Sequence, residues 1–385
     1  MRGAFALDRG VVYLNHGSFG AVPRVVSAAQ SRVRERIEAN PLRFHRVEMP
    51  QLKAQARATA GAFLGVGPDE VALVRNVTHA AATILASLTD TGRLGSDDAV
   101  VLAEHAYESV SAIVARTCRR VGASVEIATF PIDADPASIV DAYRAAFARV
   151  RERGHRPRLA VIDHIASPTG ALSPVAALCA ASHDAGAYSF VDAAHVPGQL
   201  AARPDSTGAD FWAGSWHKWG FAPRGTTALW ASPAQRGELY PLATGAADDT
   251  PFPLPFDHTG TDDATGWYCL ADAIAFWNEC GGPEIAVRGR ALLDAGAPIV
   301  AAAMPGVEAA IPLDPAPCMQ LVPLPDGVAT TGSDADAVYE RLSQRGFEVQ
   351  VVAYAGRGYL RLSAAVYNEL ADYERLGKAL PDVLG

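Results

Sequence analysis

Lysine is almost missing from this chain: of 33 basic residues among 385, only Lys53, Lys218 and Lys378 are lysine. Arginine serves wherever a positive charge suffices. A lysine kept in apolar surroundings is therefore a candidate for chemistry that arginine cannot do, because only lysine sheds its proton readily and attacks a carbonyl. Lys53, in QLKAQARAT, and Lys378, in ERLGKAL, read as solvated helix faces. Lys218 lies in FWAGSWHKWGFAPRGTTALW, among aromatic residues and little charge. It is the odd one out.

Other absences narrow the class. No apolar run reaches the roughly 18 uncharged residues that span a bilayer. Asp8 and Arg9 interrupt any signal-like core in the first residues, so a cytoplasmic protein without membrane contact is expected. Five cysteines (Cys118, Cys179, Cys269, Cys280 and Cys318) show no CxxC pairing, which reads as reduced thiols. No His/Cys/Glu spacing suggests a metal site, and no GxGxxG or Walker loop is present. The net charge of −9 and the lack of a basic stripe argue against nucleic acid. What remains, at 49% hydrophobic and 19% charged, is a globular chain with a large dry core.

From about residue 65 to 230, short apolar runs alternate with Ala-rich helical stretches. The runs are 70–74, 99–103, 124–130, 158–165, 187–194, 209–215 and 226–231; helical patterns fall at 79–88, 108–121 and 173–186. Continuous apolar strands separated by helices predict a mostly parallel sheet covered on both faces, an α/β fold. Residues 240–265 read as loop, and a helix opens near 266–277. Strands follow at MQLVPLP, FEVQVVAY and GYLRLSA. The expected organisation is an extended arm (1–25), a large domain (26–265) and a smaller C-terminal α+β domain (266–385).

Four pieces fall at the C-terminal ends of predicted strands, where open α/β sheets bind ligands. Asn76, Val77, Thr78 and His79 open a helix after EVALV, a seat for an anion, although Thr there is equally a helix cap. Asp192 ends the strand AYSFVDAAH and is followed by His195; a buried acid at such a place wants a cationic partner. Ser215, Trp216, His217 and Lys218 follow ADFWAG. Arg361 lies in the strand-like GYLRLSA, either seeking an anionic partner or simply exposed at an edge. Together they fit pyridoxal 5'-phosphate. That cofactor needs a lysine to hold its aldehyde as an imine, a carboxylate beside its ring nitrogen and a helix N-terminus for its phosphate.

The stretches YLNHGSFGAVP, VRNVTHA, DHIASPTG, VDAAHVPGQ, GSWHKWGFAPRGTTALW, HTGTDD and YLRLSAAVYN carry a family resemblance over nearly the whole chain. The sequence resembles the aminotransferase class V group, in its isopenicillin N epimerase-like branch. The resemblance implies PLP fold type I (aspartate aminotransferase-like) and a homodimer whose subunits both line each active site. It implies Lys218 as the Schiff-base lysine and proton shuttle, Asp192 at the pyridine nitrogen, and His195 with Ser167 near the ring hydroxyl. Thr78, His79, Ser215 and His217 would hold the phosphate, with Thr261 reaching across from the second subunit. Arg361 would grip the substrate α-carboxylate. For the residue stacked on the ring, Tyr107 is favoured and His105 is second; related desulfurases carry a histidine at the place of Ala106. Tyr107 is also a candidate acid. Asn15, His16, Ser18 and Arg46 are substrate-side candidates or structural residues. Arg43, His45, Arg46 and Arg357 read either as recognising a second polar group or as surface charges.

One departure bears on the reaction. Related desulfurases place a nucleophilic cysteine shortly before the carboxylate-binding arginine, whereas QVVAYAGRGYLRLS contains none, and Cys318 reads as core. The expectation is therefore β-elimination at a cysteine-derived C–S bond, with epimerisation close behind and transamination or oxidative deamination third. A non-catalytic scaffold that had lost Lys218, Asp192 or Arg361 is disfavoured, since all three are present.

Overall fold

The seven apolar runs between residues 70 and 231 assemble into one sheet. The structure, a computed structural model, describes residues 1–385 apart from 202, 246, 248, 308–314 and 385, so positions 246 and 248 of the loop-like stretch lie outside the described residues. A short β1 (Val12–Tyr13) precedes β2 (Val71–Val74), β3 (Asp98–Ala103), β4 (Ser124–Ala128), β5 (Arg156–Asp163), β6 (Tyr188–Ala193), β7 (Phe211–Ser215) and β8 (Thr227–Ala231). β9 (Met319–Pro323), β10 (Phe347–Glu348), β11 (Gln350–Tyr354) and β12 (Arg357–Ser363) follow. The large sheet has the order β2-β8-β7-β6-β5-β3-β4. β3 to β7 pair in parallel, and β8 runs antiparallel to both its neighbours.

Burial on both faces explains why these strands are continuous apolar runs: every residue of β3 and β7 is buried. Asp98 opens β3 as an exception, and Arg156 and Arg158 meet its carboxylate at 3.0 and 3.2 Å. The helix Glu108–Val121 keeps the bounds of its sequence pattern and stops at Gly122, whose φ of 78° suits a left-handed C-cap. The pattern at 266–277 instead splits into Thr265–Tyr268 and Leu270–Glu279.

β11, β12 and β9 form a second, antiparallel sheet with β12 in its centre. FEVQVVAY, read as one strand, breaks at Val349, because β10 pairs in parallel with β1 while β11 pairs with β12. The first 23 residues thereby tie the two sheets together. Leu14 joins the apolar core of the second sheet, and Phe5 packs against Phe221, Phe276 and Tyr367 on the large-sheet side.

Lys53 corrects its sequence reading as a solvated residue. It is half-buried on the helix Met49–Leu64, and its ammonium donates to the Asp257 carbonyl. One turn on, Arg57 and Asp257 form an ion pair with side chains only 8% and 10% exposed. Removing one partner of such a pair strands the other charge. Arg57→Met is therefore expected to cost about 3–5 kcal/mol of stability. Arg57→Met combined with Asp257→Leu should recover most of that loss in a thermal melt.

Candidate active site

The carboxyl ends of β5, β6 and β7 open into a cavity of about 620 Å³, closed on its far side by β11 and β12. That volume suits a cofactor together with a small substrate. Lys218 follows β7 on a loop clamped by close backbone packing. A Cβ on Gly20 would lie 2.5 Å from the carbonyl oxygens of His217 and Lys218. Gly198, with φ of 92°, presses against the Trp219 carbonyl from the other side. Only glycine fits at either place.

Among the described residues, the lysine amine has one close side-chain partner. His195 Nε2 lies 3.0 Å from Lys218 Nζ, and the Trp219 indole donates to His195 Nδ1 at 3.3 Å. An indole only donates, so Nδ1 carries the lone pair and the imidazole proton sits on Nε2, aimed at Nζ. A neutral amine accepts that hydrogen bond; an ammonium cannot. Burial pushes the Lys218 amine down to about 8, with Arg361 also lowering it against the opposing pull of Asp192 and Asp163, so the neutral form that accepts this bond is a minority at pH 7 and the majority above about pH 8. Burial and the Lys218 charge together hold His195 well below the usual imidazole range, which keeps it neutral.

Asp192, at the end of β6, is buried and accepts the Ala194 amide through Oδ1 at 3.0 Å, which leaves Oδ2 for the cavity. Thr78 is not the helix cap. Asn76 takes that role by accepting the His79 amide at 2.7 Å, and Thr78 lines the cavity in the first turn. Ser215 and His217 line the same wall. The Ser215 and Thr227 hydroxyls share a hydrogen bond of 2.6 Å, and His217 Nδ1 is buried with no partner among the described residues.

Arg361 occupies the central strand of its sheet rather than an edge, is buried, and is held by the Ser167 carbonyl, Asn15 Oδ1 and Ser18 Oγ. Burial lowers it to about 10, so it remains a cation at neutral pH. Gln350, in register with Arg361, lies 3.4 Å from both Asn15 Nδ2 and Ser18 Oγ. Tyr107 is 40% exposed, and Lys218 Nζ stands 5.9 Å from its ring centroid.

The structure does not bring every sequence candidate to this cavity. His105, the second choice for ring stacking, is buried against Phe130, with ring centroids 4.6 Å apart, and pairs with the Tyr354 hydroxyl at 2.9 Å. His16 is buried behind the loop, 2.8 Å from the Tyr367 hydroxyl and 5.1 Å from the Trp219 ring, and does not line the cavity. Its polar ring is used in packing. Arg43 and Arg46 are exposed beside Phe44, whose ring is the buried one, and line neither cavity. Arg357 is half-buried and also stands outside the lining. His79, His45 and Thr261 line a second cavity of about 400 Å³, together with Lys53 and Asp257. All five cysteines are free and buried, and none lines the Lys218 cavity.

One acid escaped the sequence reading. Asp163 ends β5 as Asp192 ends β6, lines the cavity and is buried. The signal was present, because an acid closing the apolar run RLAVID invites the argument applied to VDAAH.

The donor set fits a single group. Thr78, His217 and the helix start suit a phosphate, the open oxygen of Asp192 suits a cationic ring nitrogen, and the readily deprotonated Lys218 amine suits an aldehyde. Fold and cavity thus define an enzyme of the pyridoxal-phosphate type. The class-V aminotransferase profile matches residues 12–376, and the chain belongs to that family of pyridoxal-phosphate enzymes. Isopenicillin N epimerase of Streptomyces clavuligerus is 32% identical over 404 aligned positions, covering 100% of this chain and 98% of that protein. A putative L-cysteine desulfhydrase of Oryza sativa subsp. japonica is 31% identical, with 97% of this chain and 84% of that protein covered. In fold, the chain resembles a cysteine desulfurase from Thermococcus onnurineus NA1, with a TM-score of 0.80 at 17% identity over 100% of this chain and 97% of that one.

Proposed function

We propose that this enzyme cleaves the C–S bond of a cysteine-derived amino acid by β-elimination, with Lys218 as the base at Cα. The carrying observation is the buried Lys218 amine, 3.0 Å from His195 Nε2 and lowered by burial to about 8, in a cavity that also holds a buried arginine. When bound, pyridoxal phosphate supplies an aldehyde for amino groups to join and a ring that draws electron density away from Cα. Lys218 is the residue that bonds to it at rest. Asp192 holds the proton at the ring nitrogen, Thr78, Ser215 and His217 hold the phosphate, and Ser167 and His195 border the ring.

Arg361 grips the substrate α-carboxylate and so orients the Cα proton toward Lys218 Nζ. Tyr107 covers the opposite side and hands a proton to the departing sulfur. The Cα proton goes to Lys218, the C–S electron pair leaves with sulfur as the thiol, and the three-carbon remainder takes up one water after release and ends as pyruvate and ammonia. The lack of a cavity cysteine disfavours persulfide formation on the protein. The similarity to a protein named L-cysteine desulfhydrase supports the same direction.

Epimerisation is the second reading. It is favoured by Tyr107 facing Lys218 across the cavity, which puts a proton-transfer group on each face, and by the similarity to isopenicillin N epimerase. Incubation with L-amino acids and S-substituted cysteines in heavy water, followed by proton NMR, separates the two. Pyruvate with a released thiol establishes the lyase. Loss of the α-proton signal from an intact carbon skeleton, with the D-enantiomer accumulating in a chiral separation of the products and no pyruvate formed, establishes the epimerase and overturns β-elimination.

The working unit in this proposal is a homodimer in which Thr261 of one subunit reaches the phosphate held by the other. Support comes from Thr261 lining the second cavity, which adjoins the Lys218 cavity at Arg75 and Gly225, and from Leu42, Val47, Tyr240, Leu242 and Leu254, exposed apolar residues flanking that second cavity in sequence. Five free thiols suit a reducing cytoplasm.

The depressed lysine also has a kinetic consequence. Only the neutral amine attacks an aldehyde, so attachment of added cofactor to the cofactor-free protein should speed up about tenfold per pH unit below the Lys218 pKa of about 8. Above that pH it should level off. Stopped-flow absorbance checks this; a rise continuing to pH 10, near the ordinary lysine range, contradicts it.

A further inference from the structure

The proposed reaction leaves one buried acid of the cavity without a task. Asp163 on β5 and Asp192 on β6 are directly in register on adjacent parallel strands. Such strands lie about 4.8 Å apart, and register-matched side chains leave the sheet on the same face. The two carboxyls therefore share one wall, at 6% and 4% exposure. Their surroundings differ. Asp192 has the Ala194 amide on Oδ1 and the cavity for Oδ2, whereas Asp163 Oδ2 is buried with no hydrogen-bond partner among the described residues. An ionised oxygen sealed from water without a donor is costly; a protonated one is far less so.

The groups facing Asp163 do not reverse this. From β6 comes Asp192, a like charge; from the loop after β7 comes Lys218, and from the loop after β3 the Tyr107 amide. The helix Pro136–Glu152 contributes Tyr143, whose hydroxyl donates to the Val161 carbonyl at 2.8 Å. Burial and the Asp192 charge raise Asp163 well above the usual carboxylate range. Burial raises Asp192 too, against the opposing Ala194 amide and Lys218. Two adjacent buried carboxylates do not both ionise.

We propose that Asp163, held in register beside Asp192, is a protonated carboxyl that leaves the single negative charge of the pair on Asp192, where it faces the ring nitrogen. Asp163 is thus a positioning residue that acts through Asp192, and this role rests on the cofactor reading above. Asparagine matches a protonated aspartic acid in shape and charge. Asp163→Asn is therefore expected to keep cofactor affinity within about threefold of wild type, while Asp192→Asn loses about tenfold or more.

The direct test is infrared difference spectroscopy of the intact holoenzyme, wild type minus Asp163→Asn, near neutral pH. A neutral-carboxyl C=O band lost with the substitution, with carboxylate bands unchanged, is the expected result. Loss of carboxylate bands instead overturns the proposal, as do equal tenfold affinity losses for the two variants. If Asp163→Asn does not fold, carboxyl-labelled aspartate in the wild type gives the answer by NMR. One resonance staying at its protonated position at neutral pH supports the proposal, and none doing so overturns it. The band is also read without cofactor. A neutral carboxyl in a wild type that takes up no pyridoxal phosphate overturns the cofactor reading and leaves the proton assignment standing.

Discussion

Lys218→Ala is expected to lower turnover by about a thousandfold or more, the scale of losing a positioned proton-transfer group. It should also abolish covalent retention of the cofactor through gel filtration, since no other amine reaches that cavity: among the described lysines, Lys53 belongs to the second cavity and Lys378 is exposed. Folding should survive, because the loop is held by Gly20, Gly198 and the buried Trp216 and Trp219 rather than by the amine. The check is a rate assay on protein whose melting temperature matches wild type. A variant within tenfold of wild-type turnover contradicts the role given to Lys218.

Arg361→Ala should act mainly on substrate affinity. Losing a two-pronged, charge-assisted grip on the α-carboxylate is expected to raise KM about a hundredfold, with a smaller change in kcat. Arg361→Lys should recover little, because an ammonium does not reproduce the planar fork. Arg361 also ties Asn15, Ser18 and Ser167 together, so a structural loss has to be told apart from a binding loss. Comparing each substrate with its decarboxylated analogue does this. Wild type should discriminate strongly between the two and the variant hardly at all. Discrimination retained in Arg361→Ala contradicts the assignment.

The large sheet was legible because its strands are buried on both faces, so the sequence spells them as uninterrupted apolar runs bounded by helices. The small sheet was less so. FEVQVVAY carries no mark of where pairing changes from β1 to β12, since that change depends on the N-terminal segment folding back from more than 300 residues away. Lys218, Asp192, Thr78, Ser215, His217, Ser167, Tyr107 and Arg361, far apart in sequence, line one cavity because each ends a strand, opens a helix or faces in from the second sheet.

What composition and local pattern could not show was partnership. Lys53 reads as solvated until the Asp257 carbonyl is placed beside it, and His16 reads as a ligand-side residue until Tyr367 and Trp219 enclose it. In the string AEHAYES, Tyr107 is favoured over His105 for the ring; the fold turns His105 toward Phe130 and Tyr107 toward Lys218. The pairing of Asp163 with Asp192 depends on strand register, which no single run of residues encodes.

With only three lysines in the chain, one measurement is decisive. The enzyme is loaded with pyridoxal phosphate, reduced with borohydride to fix any lysine–cofactor bond, digested and mapped by mass spectrometry. The added pyridoxyl-phosphate mass is expected on the peptide containing Lys218 and on neither of the other two. Modification centred on Lys53, in the second cavity, or no modified lysine in a protein that still turns over, contradicts the account.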